Sequence, residues 1–146
     1  MDREKQKTCN SKMAVYFWNS EDIMSIDNFR KFHRNNPKVF DMVLKYAYKQ
    51  KDKGRTHYSI EIIMNVIRYH VDLDTVGDQF KINNNYKAFY SRMAMEYMLD
   101  DTFFATRGSI ADDFNFQEDI NYYNSWLNRR LAWAKYLIIT FLKEKK

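Results

Sequence analysis

The chain has 146 residues, 45% of them hydrophobic and 17% aromatic, which is enough apolar surface for one core and excludes wholesale disorder. With only 3 Gly and 1 Pro it lacks the turn residues of an all-β protein. Its single cysteine, Cys9, excludes an internal disulfide framework and any Cys-rich metal site, and fits a reducing, cytoplasmic compartment.

The net charge of +5 is unevenly spread. Residues 1–58 carry 13 basic and 7 acidic side chains, residues 59–125 carry 5 and 11, and residues 126–146 carry 6 and 1. The ends are basic and the middle acidic, so two ends that meet would form one face suited to phosphates or an acidic partner.

In chain order, residues 1–13 mix both charges without an apolar core, which predicts a flexible arm rather than a secretory signal. The run Val15-Tyr16-Phe17-Trp18 reads as a docked extended segment or hydrophobic anchor. Ser25 is placed to cap a short first helix carrying Ile26, Phe29, Phe32 and His33, which stops before Pro37. Asn36 and Pro37 open a second helix with Val39, Phe40, Val43, Leu44 and Ala47 on one face, Asp41, Lys45 and Lys49 in water, and Gly54 as terminator. Ser59 opens a third, whose row of Ile60, Ile63, Met64, Ile67, His70 and Val71 is the clearest helical period in the chain. Residues 72–78 read as a loop, and Phe80-Lys81-Ile82 as a short extended or wing-like piece. Asn83-Asn84-Asn85 caps a fourth helix with Tyr86, Phe89, Tyr90, Met93 and Tyr97 buried and Lys87, Ser91 and Arg92 outside. A boundary is expected at 108–113, followed by a long last helix over 117–143 with a stripe from Ile120 to Phe141. The fold class is therefore mostly α: a compact bundle of about five helices, at most a wing-like segment near residues 79–83, and a long C-terminal helix. Residues 14–146 form one helical domain, with a core over 25–107. The longest apolar tract, residues 131–142, is interrupted by Lys135 and falls well short of the roughly 20 residues of a membrane span, so no membrane partner is expected.

No phosphate loop, zinc-deaminase, zincin or nucleophile-elbow motif occurs, so no catalytic residue, cofactor or metal is expected and the chain is not read as an enzyme. His33, His57 and His70 have no metal-ligand spacing. His70 reads as a hydrogen-bonded core histidine, and His33 with Asn36 as helix-end packing or a small polar site. Asp72, Asp74, Asp78 and Lys81 have a nuclease-like composition but read as a solvated turn. The candidate nucleic-acid-binding residues are Arg55, Arg68, Lys81, Asn83, Asn84, Lys87, Arg92 and Arg107, because amides and guanidinium groups read base edges and phosphates, and Phe80, Tyr86, Phe89 and Tyr90 interleave with them. Two of these arginines have an internal alternative: Arg68 with Glu61 or Asp72, Arg92 with Glu96.

Residues 29–107 resemble a family of small uncharacterised proteins encoded by phages and prophages. The likeness is carried by Phe29-x-x-Phe32-His33-x-x-Asn36-Pro37-x-Val39, by Gly54-Arg55-x-x-Tyr58-Ser59 leading to Arg68, by Phe80-Lys81-Ile82-Asn83-Asn84-Asn85-Tyr86 with Tyr90 and Arg92, and by Phe104 with Arg107. It implies a viral origin and a place in the host-cell cytoplasm, and it assigns no functional residue. The stretch after Gly108 falls outside the likeness.

Two functions follow as expectations. One is a nucleic-acid-binding accessory or regulatory protein, DNA-binding and helix-turn-helix-like around Gly54–Ser59. Against it, the 51–58 connector exceeds the usual turn and Glu61 opposes phosphate. The other is a non-catalytic interaction module docking on a host protein through its aromatic and Met-rich surface, with Phe17-Trp18, Trp126 and Trp133 as anchors and a homodimer through the C-terminal helix as a further possibility.

Overall fold

The computed structural model describes the backbone of residues 20–74 and 81–144, and the side chains of residues 25–71 and 81–143. The expected arm, the Val15–Trp18 anchor, most of the 72–78 loop and the first part of the wing lie outside the described residues. Among those described are five α-helices: α1 (Ser20–Asn35), α2 (Pro37–Asp52), α3 (Ile60–Asp74), α4 (Tyr86–Met98) and α5 (Gln117–Glu144), with a 3-10 turn at Ile110–Asp113. The chain is thus a mostly-α bundle with a long C-terminal helix.

Helix α1 starts at Ser20, so Ser25 lies inside it and is not its cap. An interior serine costs a helix only about 0.5 kcal/mol relative to alanine, which packing overrides. At the junction with α2, the Asn36 side chain does not cap forward. Its Nδ2 instead donates back to the Phe32 carbonyl at 3.0 Å. Pro37 occupies the first position of α2, where its missing N–H has no intrahelical partner to lose. The expected face of Val39, Phe40, Val43, Leu44 and Ala47 is buried. Asp41, expected in water, is half-buried and accepts from Tyr123 Oη at 2.6 Å. Gly54 ends α2 at φ +82°, the left-handed backbone that favours glycine. The Gly54 N–H bonds Lys51 O at 2.8 Å and the Arg55 N–H bonds Gln50 O at 3.2 Å, a Schellman pair that satisfies two terminal carbonyls.

Helix α3 buries Ile60, Ile63, Met64 and Ile67 as its period predicts. His70 is only half-buried and stacks on the Tyr46 ring at 6.1 Å, a surface stack in place of the expected core position. The helix runs to Asp74, three residues into the expected loop. Residues 81–83 form no strand, and the sole bridge among the described residues is an isolated parallel one between Tyr58 and Phe104.

The core centres on Phe29. Its ring stacks on Phe89 at 4.9 Å and meets Tyr90 and Phe116 edge-on at 5.0 and 6.3 Å. Burying one such ring contributes about 2–3 kcal/mol. Ala111, Phe116, Ile120 and Tyr123 join the same cluster, so the expected boundary at 108–113 is a surface turn within one core. Past Tyr123 no described side chain of α5 is buried, and from Asn128 to Ile139 every one is exposed.

Candidate nucleic-acid interface

Helix α3 carries Glu61, Asn65 and Arg68 at intervals of four and three, on the face turned away from its buried row. Opposite them is the start of α4. Ile82 is buried and anchors the lead-in, and the Asn83 side chain accepts from the Asn85 N–H at 2.9 Å, an Asx turn that launches the helix. This turn presents Asn84 to Arg68. Arg68 Nη2 donates to Asn84 Oδ1 at 2.6 Å, and Nη1 donates to Asn65 Oδ1 at 2.9 Å. Both acceptors are neutral amides, so the guanidinium is oriented but keeps its full charge. Of the two expected carboxylates, Glu61 pairs with Lys87 instead, and the Asp72 side chain lies outside those described.

One turn further along α4 lies a cleft of about 600 Å³ between α3, α4 and the 105–109 segment, lined by Glu61, Lys87, Ser91, Arg92, Arg107 and Ser109 among others. Ser91 and Arg92, expected outside, face inward. Ser91 is buried and its Oγ donates to Ala88 O at 2.9 Å. Arg92 Nε donates to Asp112 Oδ1 at 2.8 Å, Nη2 to Arg107 O at 2.7 Å, and Nη1 to Ala88 O at 3.2 Å and to Ser91 Oγ at 3.3 Å. Its acidic partner is therefore Asp112, not Glu96. Asp112 also accepts from the Ser109 N–H at 2.9 Å as half of a capping box. The Arg92 guanidinium beside it holds the Asp112 carboxyl below its ordinary value.

Five of the eight candidate residues thus lie along the α3–α4 edge: Arg68, Asn84 and Lys87 at one end, Arg92 and Arg107 at the other. Asn83 shapes the turn, and Lys81 precedes it, exposed. Arg55 makes none of these contacts; it is exposed on the α2–α3 connector with its guanidinium 5.1 Å over the Tyr58 ring. That connector is fastened by the Tyr58 N–H to Phe103 O at 2.8 Å, so it is a pinned strap in place of a tight helix-turn-helix turn. Asn65 and Asp112 were not among the candidates; Ser109-Ile110-Ala111-Asp112 has capping-box spacing, whereas Asn65 has no local signal.

His33 and Asn36 form no open polar site. His33 is fully buried, its Nε2 3.2 Å from the Asp119 carbonyl and its ring beside Phe29 and Phe40. Burial holds its pKa below the ordinary value. The acidic middle of the chain is answered by cations from the basic first segment: Lys51 pairs with Asp100 at 2.6 Å and Arg30 with the buried Asp119 at 3.3 Å. The C-terminal cations Arg129, Arg130, Lys135 and Lys143 instead lie on the exposed half of α5. Among the described residues no group of His, Cys, Asp and Glu is arranged to hold a metal, and no helix is long and apolar enough to cross a membrane. No protein-family model, curated protein or solved structure matches the chain.

Proposed function

We propose that the chain is a non-catalytic, nucleic-acid-binding accessory or regulatory protein of phage type, acting in the host cytoplasm and presenting α3 and the start of α4 to DNA. The observation that carries this reading is Arg68, a guanidinium held by two neutral amides and with no acidic partner among the described side chains. Asn65, Asn84 and Arg68 offer amide and guanidinium donors of the kind that recognise base edges and phosphates. Tyr69, 63% exposed on the same helix, adds a ring for stacking. The repulsion expected from Glu61 is offset by its ion pair with Lys87. Exposed Lys81 and Arg107 extend the positive charge at either end.

Fluorescence anisotropy with labelled duplex and single strands at about 50 mM salt tests the reading, because phosphate-based affinity falls steeply as salt rises. Arg68→Ala weakens binding and lowers the salt slope by about one, with melting nearly unchanged. No binding by the folded chain at that salt overturns the reading and favours a module that docks on a host protein.

A further inference from the structure

The row that seats α5 on the bundle does not stop where the bundle does. Ile120 and Tyr123 are buried, and Leu127, Leu131, Ala134, Ile138 and Phe141 follow at intervals of four, four, three, four and three, the spacing of a helix-pairing seam. Leu131, Ile138 and Phe141 on this row and Leu137 and Leu142 beside it are each more than half exposed. At roughly 100 Å² apiece they present about 500 Å², so a pair of copies buries about 1,000 Å², enough for a specific interface.

We propose that a second copy of the chain covers this stripe, forming an antiparallel pair of α5 helices with Ala134 at the two-fold axis. This inference is independent of the nucleic-acid reading. The pattern is self-complementary about that point: Leu131 meets Ile138 of the second copy, Leu127 meets its Phe141, and the small Ala134 lets the helices approach at the centre. Such a contact is isologous and closes as a dimer. Position 144 of one copy then comes level with position 124 of the other, where the bundle begins, so the exposed half-helix, about 25 Å long, fits the space available.

Charge selects the direction. From Ile120 to Lys143 the helix has no acidic residue, and a parallel pair sets Arg130 against Lys135 of the second copy. The antiparallel pair places Arg130 beside Leu137 instead, with its guanidinium turned back over Trp126 at 5.0 Å. The Lys135 side chains approach near the axis, on stems long enough to carry their charges outward. Shape excludes a flat lipid surface, because the bundle sits on the same side of α5 as the stripe and meets such a surface first.

Sedimentation equilibrium of the full chain at about 100 µM gives twice the 17.8 kDa of one chain if the proposal holds. Ile138→Glu, at an exposed position, shifts the mass to that of one chain while helical circular dichroism is kept. In a Cys9→Ser background, Ala134→Cys oxidises to a cross-linked dimer. Leu127→Cys does not, because its two sulfurs are held about 21 Å apart along the helices, beyond disulfide reach. A monomer at that concentration overturns the proposal. Cosedimentation of that monomer with anionic vesicles, or capture of residues 15–18 or of a host protein by the stripe, then identifies the occupant. Cross-linking through Leu127→Cys overturns the antiparallel arrangement.

Discussion

The Tyr123 hydroxyl of α5 donates to Asp41 Oδ1 of α2 at 2.6 Å, joining two helices through residues 82 apart in sequence. Burial of the ring, then the hydrogen bond to Asp41 and its charge, pushes the phenol pKa far above its ordinary value, so the hydroxyl stays a donor at every working pH. Tyr123→Phe removes one charge-assisted hydrogen bond and leaves a half-buried carboxylate short of a partner. The expected loss is about 1–2 kcal/mol, a fall in Tm of about 3–8 °C, measured by calorimetry. An unchanged Tm would show that water replaces the phenol without cost.

Arg92 and Arg68, both candidates for phosphate contact, separate in their partners. Arg92→Ala removes one donor each from the carbonyls of Ala88 and Arg107 and from the Asp112 carboxylate, at a cost of about 2 kcal/mol in urea unfolding. Asp112→Asn combined with Arg92→Ala adds little further, since the two act as one unit. Arg68→Ala, whose described contacts are to exposed amides, costs about 0.5 kcal/mol or less. Equal losses for the two arginines would contradict this division.

Acid acts on stability in two windows. His33 has its pKa lowered by burial, so the unfolded chain takes up a proton first as pH falls below the ordinary 6.5, and stability declines until the folded pKa is reached. Asp112, held low chiefly by Arg92, contributes stability that is present above 3.8 and lost as pH falls through its folded pKa. Urea midpoints at about pH 7.5 and 5 therefore fall for the wild type, and the drop shrinks in His33→Asn. A His33→Asn variant with the full wild-type drop would exclude His33 as its source.

At Gly54 an added Cβ meets no heavy atom within 4 Å, so only the backbone opposes substitution. Gly54→Ala is expected to cost about 1 kcal/mol from the left-handed φ alone, with Gly54→Asn between the two because asparagine tolerates that region. If Ala matched Gly in urea, the Schellman end would have to have relaxed.

The rows of α2 and α3 were legible because each combines a 3.6-residue period with a punctuating residue, Pro37 or Gly54, whose effect is local. The start of α1 was not, since Ser25 signals a cap only if the helix does not continue upstream of it, and here it begins at Ser20. Arg92 sits one position from the buried Met93, and its direction depends on the path of residues 105–113, which no local pattern encodes. The Arg68 clamp likewise needs Asn84, sixteen residues away across a turn. Periodicity revealed the stripe on α5, but not that the bundle ends beneath Tyr123.

The links that hold α1 and α2 to α5 all close over long stretches of chain: Arg30 and His33 to Asp119, the Arg34 carbonyl to Tyr122, and Asp41 to Tyr123, each more than 80 residues apart. On the ribosome, α1 and α2 emerge well before these partners exist, and Phe29 waits for Phe89, Tyr90 and Phe116. Native locking therefore belongs to a step after residue 123 has cleared the exit tunnel. Loop closure of that span slows folding relative to helical bundles built from local contacts. A nascent chain stalled before Gln117 leaves its largest aromatic surface without its closing helix.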